Sequence, residues 1–305
     1  ARRALGQEMP RRILRAESAA DEAFTLTDDR QIVWEGAKIA RLKRGASLLK
    51  PVVEMLHSEF LDGLARERLR ARISVYLAAE TERRLGPLLA AMADPVPELR
   101  GVMHRLGEAS GVMPAEPVAQ ELRPVLKKLG IEAGRFAFFM PAALKPGAAK
   151  LRALLWGVWH DRNPPELPQA GLVSAPMPGN WGEDFALSMG WLPAGPVMVR
   201  LDIAEKLVRE MYFLLRKHPI LLPPNLGSRM GLKPEQLSPV LHVLGFRIIP
   251  AAILSAKYYG PPAPPMLARR KMEPRPPAAP PPPPVPVSED NPFAALAALR
   301  QTARR

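Results

Sequence analysis

Proline is concentrated near the C-terminus of this 305-residue chain, and it limits where a folded domain can end. Fourteen of the 32 residues between positions 261 and 292 are proline, five of them consecutive at Pro280–Pro284. Each proline lacks a backbone N–H donor and fixes its φ angle, so neither a helix nor a sheet extends through such a stretch. We therefore predict a globular region over residues 21–260, followed by a disordered Pro-rich linker over residues 261–290.

Residues 291–305 follow the linker and contain a short amphipathic segment. Phe293, Leu296 and Leu299 are spaced three apart, as on one face of a helix. A helix this short is marginal in water and needs a surface to dock on. We predict a short terminal helix that binds a protein partner through residues 293–299. The alternative is that it folds back onto the chain.

The globular region carries the apolar patterns of a mostly helical α+β domain. Alternating apolar and polar residues over 23–43 predict a small β-meander. An apolar stripe at helical spacing predicts a long helix from Ser58 to Met92, with Ser58 as its N-cap. That helix begins a helical part over residues 58–160, a helical bundle with short strands such as the apolar segment Arg135–Met140.

The sequence pattern of residues 195–250 is typical of a helix-turn-helix followed by a strand. A short helix over 221–230, a turn at Gly231 and a helix from Pro234 to Gly245 predict a winged-helix-like module. Plain core packing would give the same pattern. The segment Pro239-Val240-Leu241 with Leu244-Gly245 also repeats Pro124-Val125-Leu126 with Leu129-Gly130. This echo indicates a duplicated module or, as we favour here, coincidence in a leucine-rich chain.

The sequence of residues 1–20 predicts a basic helical segment that leads in from an upstream region and is broken at Pro10. Such a piece would not fold alone, so it should continue or dock on something upstream. The first residue is Ala1 rather than Met. We therefore expect the chain to be a fragment whose N-terminal portion is missing.

The charge of the chain favours a polyanionic partner. Formal net charge is +13, and the seven basic and three acidic residues from Pro261 onward leave +9 for residues 1–260. A basic surface attracts polyanions, either nucleic acid or an anionic membrane, and we predict contact with RNA or DNA in single-stranded form. No apolar run reaches the ~18 residues of a membrane helix, so no membrane association is expected. The chain has no cysteine, which excludes disulfides and thiolate catalysis and fits a cytoplasmic location.

Motifs for catalysis are missing from the sequence. It contains no GxxxxGK[ST] loop, no GxGxxG and no DExH box, so ATP hydrolysis by this chain is not expected. His160-Asp161 could form a catalytic dyad, but neutralisation of a helix C-terminus is the interpretation we favour. Ser188 lacks the first glycine of a nucleophile elbow. The carboxylate pairs Asp28-Asp29 and Glu183-Asp184 lie in predicted turns or loops and should be solvated.

Basic residues at strand ends and helix starts are the remaining functional signal, since phosphates bind such groups. The candidate nucleic-acid-binding residues are Lys38, Arg41, Lys43 and Arg44 after the meander, Lys145 and Arg152 around the helix after Pro141, and Arg229 and Lys233 at the helix-turn-helix. For base stacking the best candidates are Trp34 and Trp181, although core packing is the commoner role of tryptophan.

An ordered set of motifs resembles one protein family. Its parts are Trp34-Glu35-Gly36 with Ile39–Leu42, Gly130-Ile131 with Gly134–Pro146 and Leu151–Trp156, Gly190–Asp202 with Glu205–Leu207, and Asn291–Leu296. The set resembles the region downstream of the motor in alphaproteobacterial helicases that are similar to the mitochondrial degradosome RNA helicase. The resemblance spans most of residues 20–250 in order.

The resemblance implies an ATP-dependent helicase as the parent protein, acting on RNA or DNA. ATP and Mg²⁺ would bind in motor domains upstream of Ala1, and no cofactor would bind in this chain. It also implies that the chain is a non-catalytic accessory region that contacts nucleic acid and supports the upstream motor. The alternative is a free-standing basic winged-helix-type protein that binds nucleic acid or another protein.

Overall fold

The α+β class predicted from the sequence is confirmed by the computed structural model, in which helices combine with small antiparallel sheets. The structure describes residues 2–59, 61–163, 166–251 and 264–270, without the side chains of residues 2–7. All of them belong to one unit, Ala1–Arg270. The predicted terminal helix and most of the predicted linker lie outside the described residues.

The N-terminal part is a four-stranded meander packed between helices. Its elements are α1 (Arg2–Ser18), β1 (Phe24–Leu26), β2 (Gln31–Trp34), β3 (Ala37–Ser47), β4 (Lys50–Met55) and α2 (Gly63–Ala93). The strands pair antiparallel in chain order, with Phe24 opposite Trp34 and Arg41 opposite Glu54. The meander predicted over residues 23–43 is therefore present, and it continues to Met55.

The structure of this part differs from the sequence prediction in two features. Helix α1 runs through Pro10 rather than breaking there, and packing compensates, because Ala16 is buried against the meander. The sequence pattern does not predict strand β4, because Pro51 argues against a strand. Since β4 is at the edge of the sheet, a missing N–H there costs no ladder hydrogen bond.

The start of the long helix α2 also differs from the prediction. Asp62, not Ser58, is its N-cap, and the Asp62 carboxylate accepts a hydrogen bond from the backbone N–H of Ala65 at 2.6 Å. Both residue types cap helices well, so sequence alone does not separate them. The helix extends to Ala93, one residue beyond the predicted end.

Three successive units follow α2, and all three share one topology. Unit A contains α3 (Arg100–Glu108), β5 (Val112–Pro114), α4 (Arg123–Lys128), β6 (Glu132–Ala133) and β7 (Ala137–Phe139). Unit B contains α5 (Pro146–Trp159), β8 (Ser174–Ala175), α6 (Glu183–Ser188), β9 (Trp191–Ala194) and β10 (Val197–Arg200). Unit C contains α7 (Leu201–Leu214), β11 (Ile220–Leu221), α8 (Leu226–Arg229), α9 (Pro234–Leu244), β12 (Phe246–Ile249) and β13 (Met266–Arg269).

In each unit the last strand is the middle strand of a three-stranded antiparallel sheet. The sheet orders are β5-β7-β6, β8-β10-β9 and β11-β13-β12. Unit C therefore has the helix, strand, helix, helix, strand, strand order of a winged-helix module. Units A and B have the same order with one fewer α-helix.

A glycine with positive φ stands at the same place in all three units, between the helix and the second strand. Gly130, Gly190 and Gly245 have φ values of 76°, 86° and 94°. Each donates its backbone N–H to the carbonyl three residues earlier, which ends the helix and turns the chain into the strand. The two similar sequence segments that end at Gly130 and Gly245 therefore occupy equivalent positions in a repeated topology. This topology favours duplication of a module over coincidence.

Strand β13 corrects the predicted end of the globular region. It lies within the predicted linker over residues 261–290, yet it is the central strand of the unit C sheet. The four residues Met266–Arg269 contain no proline and keep their N–H donors, and Leu267 is fully buried. The predicted helix over 221–230 is also shorter, because Ile220–Leu221 is strand and Pro223-Pro224 precedes α8.

Candidate nucleic-acid interface

Most of the predicted basic residues of the meander are bound to nearby carboxylates. Lys38 Nζ lies 3.1 Å from Asp29 Oδ2. On β4, Glu54 binds both Arg41 and Lys43, the second at 2.5 Å. Hydrogen bonds from Lys43 and Arg41 hold the pKa of Glu54 below its ordinary value. These three basic residues therefore have intramolecular partners already.

Arg44, the fourth predicted residue of the meander, has a different environment. Its guanidinium carbon lies 4.0 Å from the centre of the Trp159 ring, in the last turn of α5. Arg44 is exposed and Trp159 is half-buried. The guanidinium therefore lies over the indole face at cation–π distance.

Further basic and aromatic residues surround this stack. Arg162 lies 5.7 Å from the centre of the Trp156 ring, and the His160 ring lies 4.5 Å from the same tryptophan. We call Arg44, Trp156, Trp159, His160 and Arg162 the α5-end surface. Burial first, and then the charges of Arg162 and Arg44, lower the pKa of His160. The two arginines therefore produce a positive potential at the imidazole.

The loop after α5 is held against the meander by a further arginine. Arg30 donates to the backbone carbonyl of Gly157 at 3.4 Å and to the Asp161 carboxylate at 3.1 Å. Asp161 adopts a φ of 50°, in the left-handed region. This contact directs the Asp161 carboxylate to Arg30, which argues against the His160-Asp161 dyad as a catalytic pair.

The predicted role of Arg152 in nucleic-acid binding is wrong. It is fully buried, and its guanidinium donates to Ser110 O at 2.7 Å, to Ser110 Oγ at 3.1 Å, to Ala143 O at 3.3 Å and to Ser188 O. Burial lowers the pKa of Arg152 to about 9. Arg152 therefore links α5 to the segments that contain Ser110, Ala143 and Ser188, and solvent does not reach its side chain.

The remaining predicted basic residues lie apart from the α5-end surface. Arg229 binds the Glu210 carboxylate through both terminal nitrogens, at 2.9 and 2.5 Å. Lys145 and Lys233 are exposed at the N-cap positions of α5 and α9. The structure thus distributes the eight predicted residues over several sites, and only Arg44 lies on the α5-end surface.

The tryptophans proposed for stacking are in the core. Trp34 and Trp181 are each 5% exposed, so the commoner role of core packing holds for both. Trp159 is not among the residues predicted from the sequence, although the sequence contains a signal for it. Trp156 and Trp159 are three apart in the last turns of α5 and are followed by His160 and Arg162, which places aromatic and basic groups on neighbouring positions of one helix end.

The other catalytic candidates have ordinary structural partners. Ser188 Oγ donates to the carbonyl of Phe185 at 2.8 Å. Asp28 binds Lys150 at 3.0 Å, and Asp29 binds Lys38. Within the described residues, no group of three or more His, Asp or Glu side chains is placed to hold a metal ion.

No protein-family model, curated protein or solved structure significantly matches this chain. Across the described ranges, none of the helices has the length and apolar character needed to span a bilayer.

Proposed function

We propose that this chain is a non-catalytic nucleic-acid-binding region and that a single strand lies on the α5-end surface. The observation that carries the proposal is the stack of Arg44 on Trp159. An exposed guanidinium plane held on an indole offers its outer side to a nucleobase, and arginine planes are a recurring surface for unstacked bases.

The positive charges next to the stack can bind the phosphates of the same strand. Arg162 is exposed beside Trp156 and His160. A strand whose base stacks at Arg44 brings its flanking phosphates toward these groups. Binding through stacking and phosphate contacts is indifferent to sequence, because every base has a flat face.

The proposal is tested by fluorescence anisotropy with labelled single strands of uridine or thymidine, each about 20 nucleotides long. The double variant R44E/R162E should bind at least tenfold more weakly than the wild type. The matched control R70E/R100E makes the same charge change at exposed residues of α2 and α3. Equal losses in the two variants would mean that only net charge matters, and the assigned surface would be wrong.

We further propose that this region supports an upstream ATP-dependent helicase motor, which would bind ATP and Mg²⁺. The support is the ordered resemblance to helicase accessory regions. The repeated units A, B and C favour the alternative of a free-standing winged-helix-type protein equally well. Sequencing the gene upstream of Ala1 tests this point. Motor motifs in the same reading frame are expected, and a stop codon directly upstream would contradict the helicase assignment.

A further inference from the structure

The helix that precedes the last two strands occupies the same place in units A, B and C. It is α4 in unit A, α6 in unit B and α9 in unit C, and each ends within two residues of the positive-φ glycine of its unit. Counting back from that glycine aligns the three helices residue by residue. The residue four positions before the glycine is buried in every unit, as Leu126, Ala186 and Leu241. The three helices therefore turn the same side to the core, and their opposite sides can be compared directly.

The outer side of α4 is basic. Arg123 and Lys127 are four residues apart and so lie on one side of the helix, and Lys128 follows next to them. All three side chains belong to exposed residues. Within the described ranges, no carboxylate lies at ion-pair distance from any of the three. Glu121, in the short turn before α4, is the nearest acidic residue in the sequence. Helix α4 therefore presents three positive charges to solvent.

The aligned positions of the other two units contain neither lysine nor arginine. Unit B has Glu183, Leu187 and Ser188 at these positions. Unit C has Ser238, His242 and Val243. The buried side of the helix is thus common to all three units, whereas the basic outer side belongs to unit A. The shared topology does not require these charges, so they call for a partner.

Contacts between successive units also distinguish α4. Helix α6 packs against β5 of unit A, and α9 packs against β9 of unit B. A Cβ atom added to Gly195, in the turn between β9 and β10, would lie 3.6 Å from the Cβ atom of Pro239 on α9. Helix α4 packs mainly on β6 of its own unit, with Leu126 in the core. Its exposed basic side is therefore open to a molecule from outside.

We propose that α4 of unit A binds duplex DNA in the major groove. In modules of the helix-turn-helix type, the second helix enters the major groove and the residues at its N-terminus contact base edges. The major groove of B-form DNA is about 12 Å wide and admits an α-helix. Arg123 begins α4 and is the residue for base edges, while Lys127 and Lys128 bind phosphates.

DNA is the expected duplex because the major groove of A-form RNA is too deep and narrow for side chains to read. The proposed α4 site shares no residue with the α5-end surface. It goes beyond single-strand binding and does not depend on it.

The test is fluorescence anisotropy of the full chain with a labelled, blunt-ended DNA duplex of about 20 base pairs, or two helical turns. The wild type should bind, and R123Q/K127Q/K128Q should bind about tenfold more weakly or worse. The slope of log affinity against log salt should become shallower by roughly 2 to 3, because each lost phosphate contact removes about 0.9 from it.

A matched control removes the same charge from unit C. K206Q/K217Q/R247Q changes three exposed residues and should leave the salt slope as in the wild type. Equal losses in the two triple variants would overturn the α4 site, because a general positive field would then explain binding. Melting curves establish that the variants fold. If R123Q/K127Q/K128Q does not fold, Lys127→Gln carries the test, with a slope shallower by about 1.

A second comparison separates α4 from the α5-end surface. R44E/R162E should bind the blunt duplex as its control R70E/R100E does. A larger loss in R44E/R162E than in R70E/R100E would place the duplex on the α5-end surface and overturn the α4 site.

An RNA duplex of the same sequence tests the groove. The loss in R123Q/K127Q/K128Q should then shrink to that of K206Q/K217Q/R247Q, because α4 does not enter the A-form major groove. The same excess loss with RNA as with DNA would contradict binding of α4 in the major groove.

Discussion

The carboxylate of Glu205 accepts a hydrogen bond from the backbone N–H of Phe136 at 2.6 Å. It also accepts from the N–H groups of Arg135 and Ala137, so one buried side chain on α7 satisfies three successive donors of the β6–β7 turn. A Cβ atom added to Gly134 would lie 2.3 Å from Glu205 Oε1, so the turn needs a glycine there. Through this contact unit A is attached to unit C.

We predict that Glu205→Gln lowers the free energy of unfolding by about 2–3 kcal/mol, because an amide offers one acceptor oxygen and places an NH₂ group against N–H donors. Chemical denaturation measures the change. Glu210→Gln on the same helix is the control, and it should cost under about 1 kcal/mol because Glu210 and its partner Arg229 are both partly exposed to solvent. Equal costs for the two variants would contradict the role given to Glu205.

Arg152 gives a second prediction about stability. Arg152→Met should lower the free energy of unfolding by about 3 kcal/mol or more, because the carbonyls of Ser110, Ala143 and Ser188 lose their buried donor. Arg152→Lys should not restore it, since one ammonium group cannot reach all three carbonyls. Lys150→Met, an exposed change on the same helix, serves as control. Wild-type stability of Arg152→Lys would show that charge alone matters at this position.

Glu54 gives a prediction about affinity. Glu54→Gln frees Arg41 and Lys43 from their shared carboxylate and removes one negative charge from β4. Single-strand binding should therefore tighten by roughly threefold to tenfold at low salt, and the salt dependence should steepen. Glu67→Gln removes the same charge on α2, where the carboxylate binds Arg70, and should have a smaller effect. Unchanged binding in Glu54→Gln would place the strand away from the meander.

His160 gives a prediction about pH. Its pKa is lowered by burial and by Arg162 and Arg44, so the ring stays neutral as pH falls below the ordinary histidine value. A bound phosphate near the ring would favour the protonated form and raise that pKa, so binding should take up a proton. Affinity should then rise as pH falls from about 7 to about 5. His160→Gln should flatten this rise, and the same rise in His160→Gln would assign it to another group.

The stability of the free protein should show the opposite trend. Because the folded-state pKa of His160 is lowered, the unfolded chain binds the proton first as pH falls through about 6.5. The stability contributed by the neutral ring is present above that pH and is lost as pH falls through the folded pKa.

Local patterns were sufficient to predict much of the fold. The meander, a helix after Pro141 and the helix that begins at Pro234 follow from alternation, helical spacing and proline at a first turn. Strand β13 was missed because four residues between prolines give too short a pattern to outweigh their surroundings. Its partners Ile220 and Phe246 lie 47 and 23 positions away from Leu267 and Arg269, respectively.

The candidate site was predicted less completely, because side-chain partners are set by tertiary contacts. Charge alone does not distinguish Arg44, stacked on Trp159, from Arg152, buried among carbonyls. The neutralisation of Arg41 and Lys43 depends on β4, a strand that the sequence pattern did not predict. Arg44 and Trp159 are far apart in the chain and meet only because α5 packs against β3.

The proposed stacking of a nucleobase at the Arg44–Trp159 pair is tested most directly by the affinity of Trp159→Ala for single strands over a range of salt concentrations. Loss of the stacking support should weaken binding by about 1–3 kcal/mol at every salt concentration while leaving the salt slope unchanged. Trp159 is half-buried, so a melting curve of the variant accompanies the titration. Wild-type affinity in a folded Trp159→Ala variant would contradict the account.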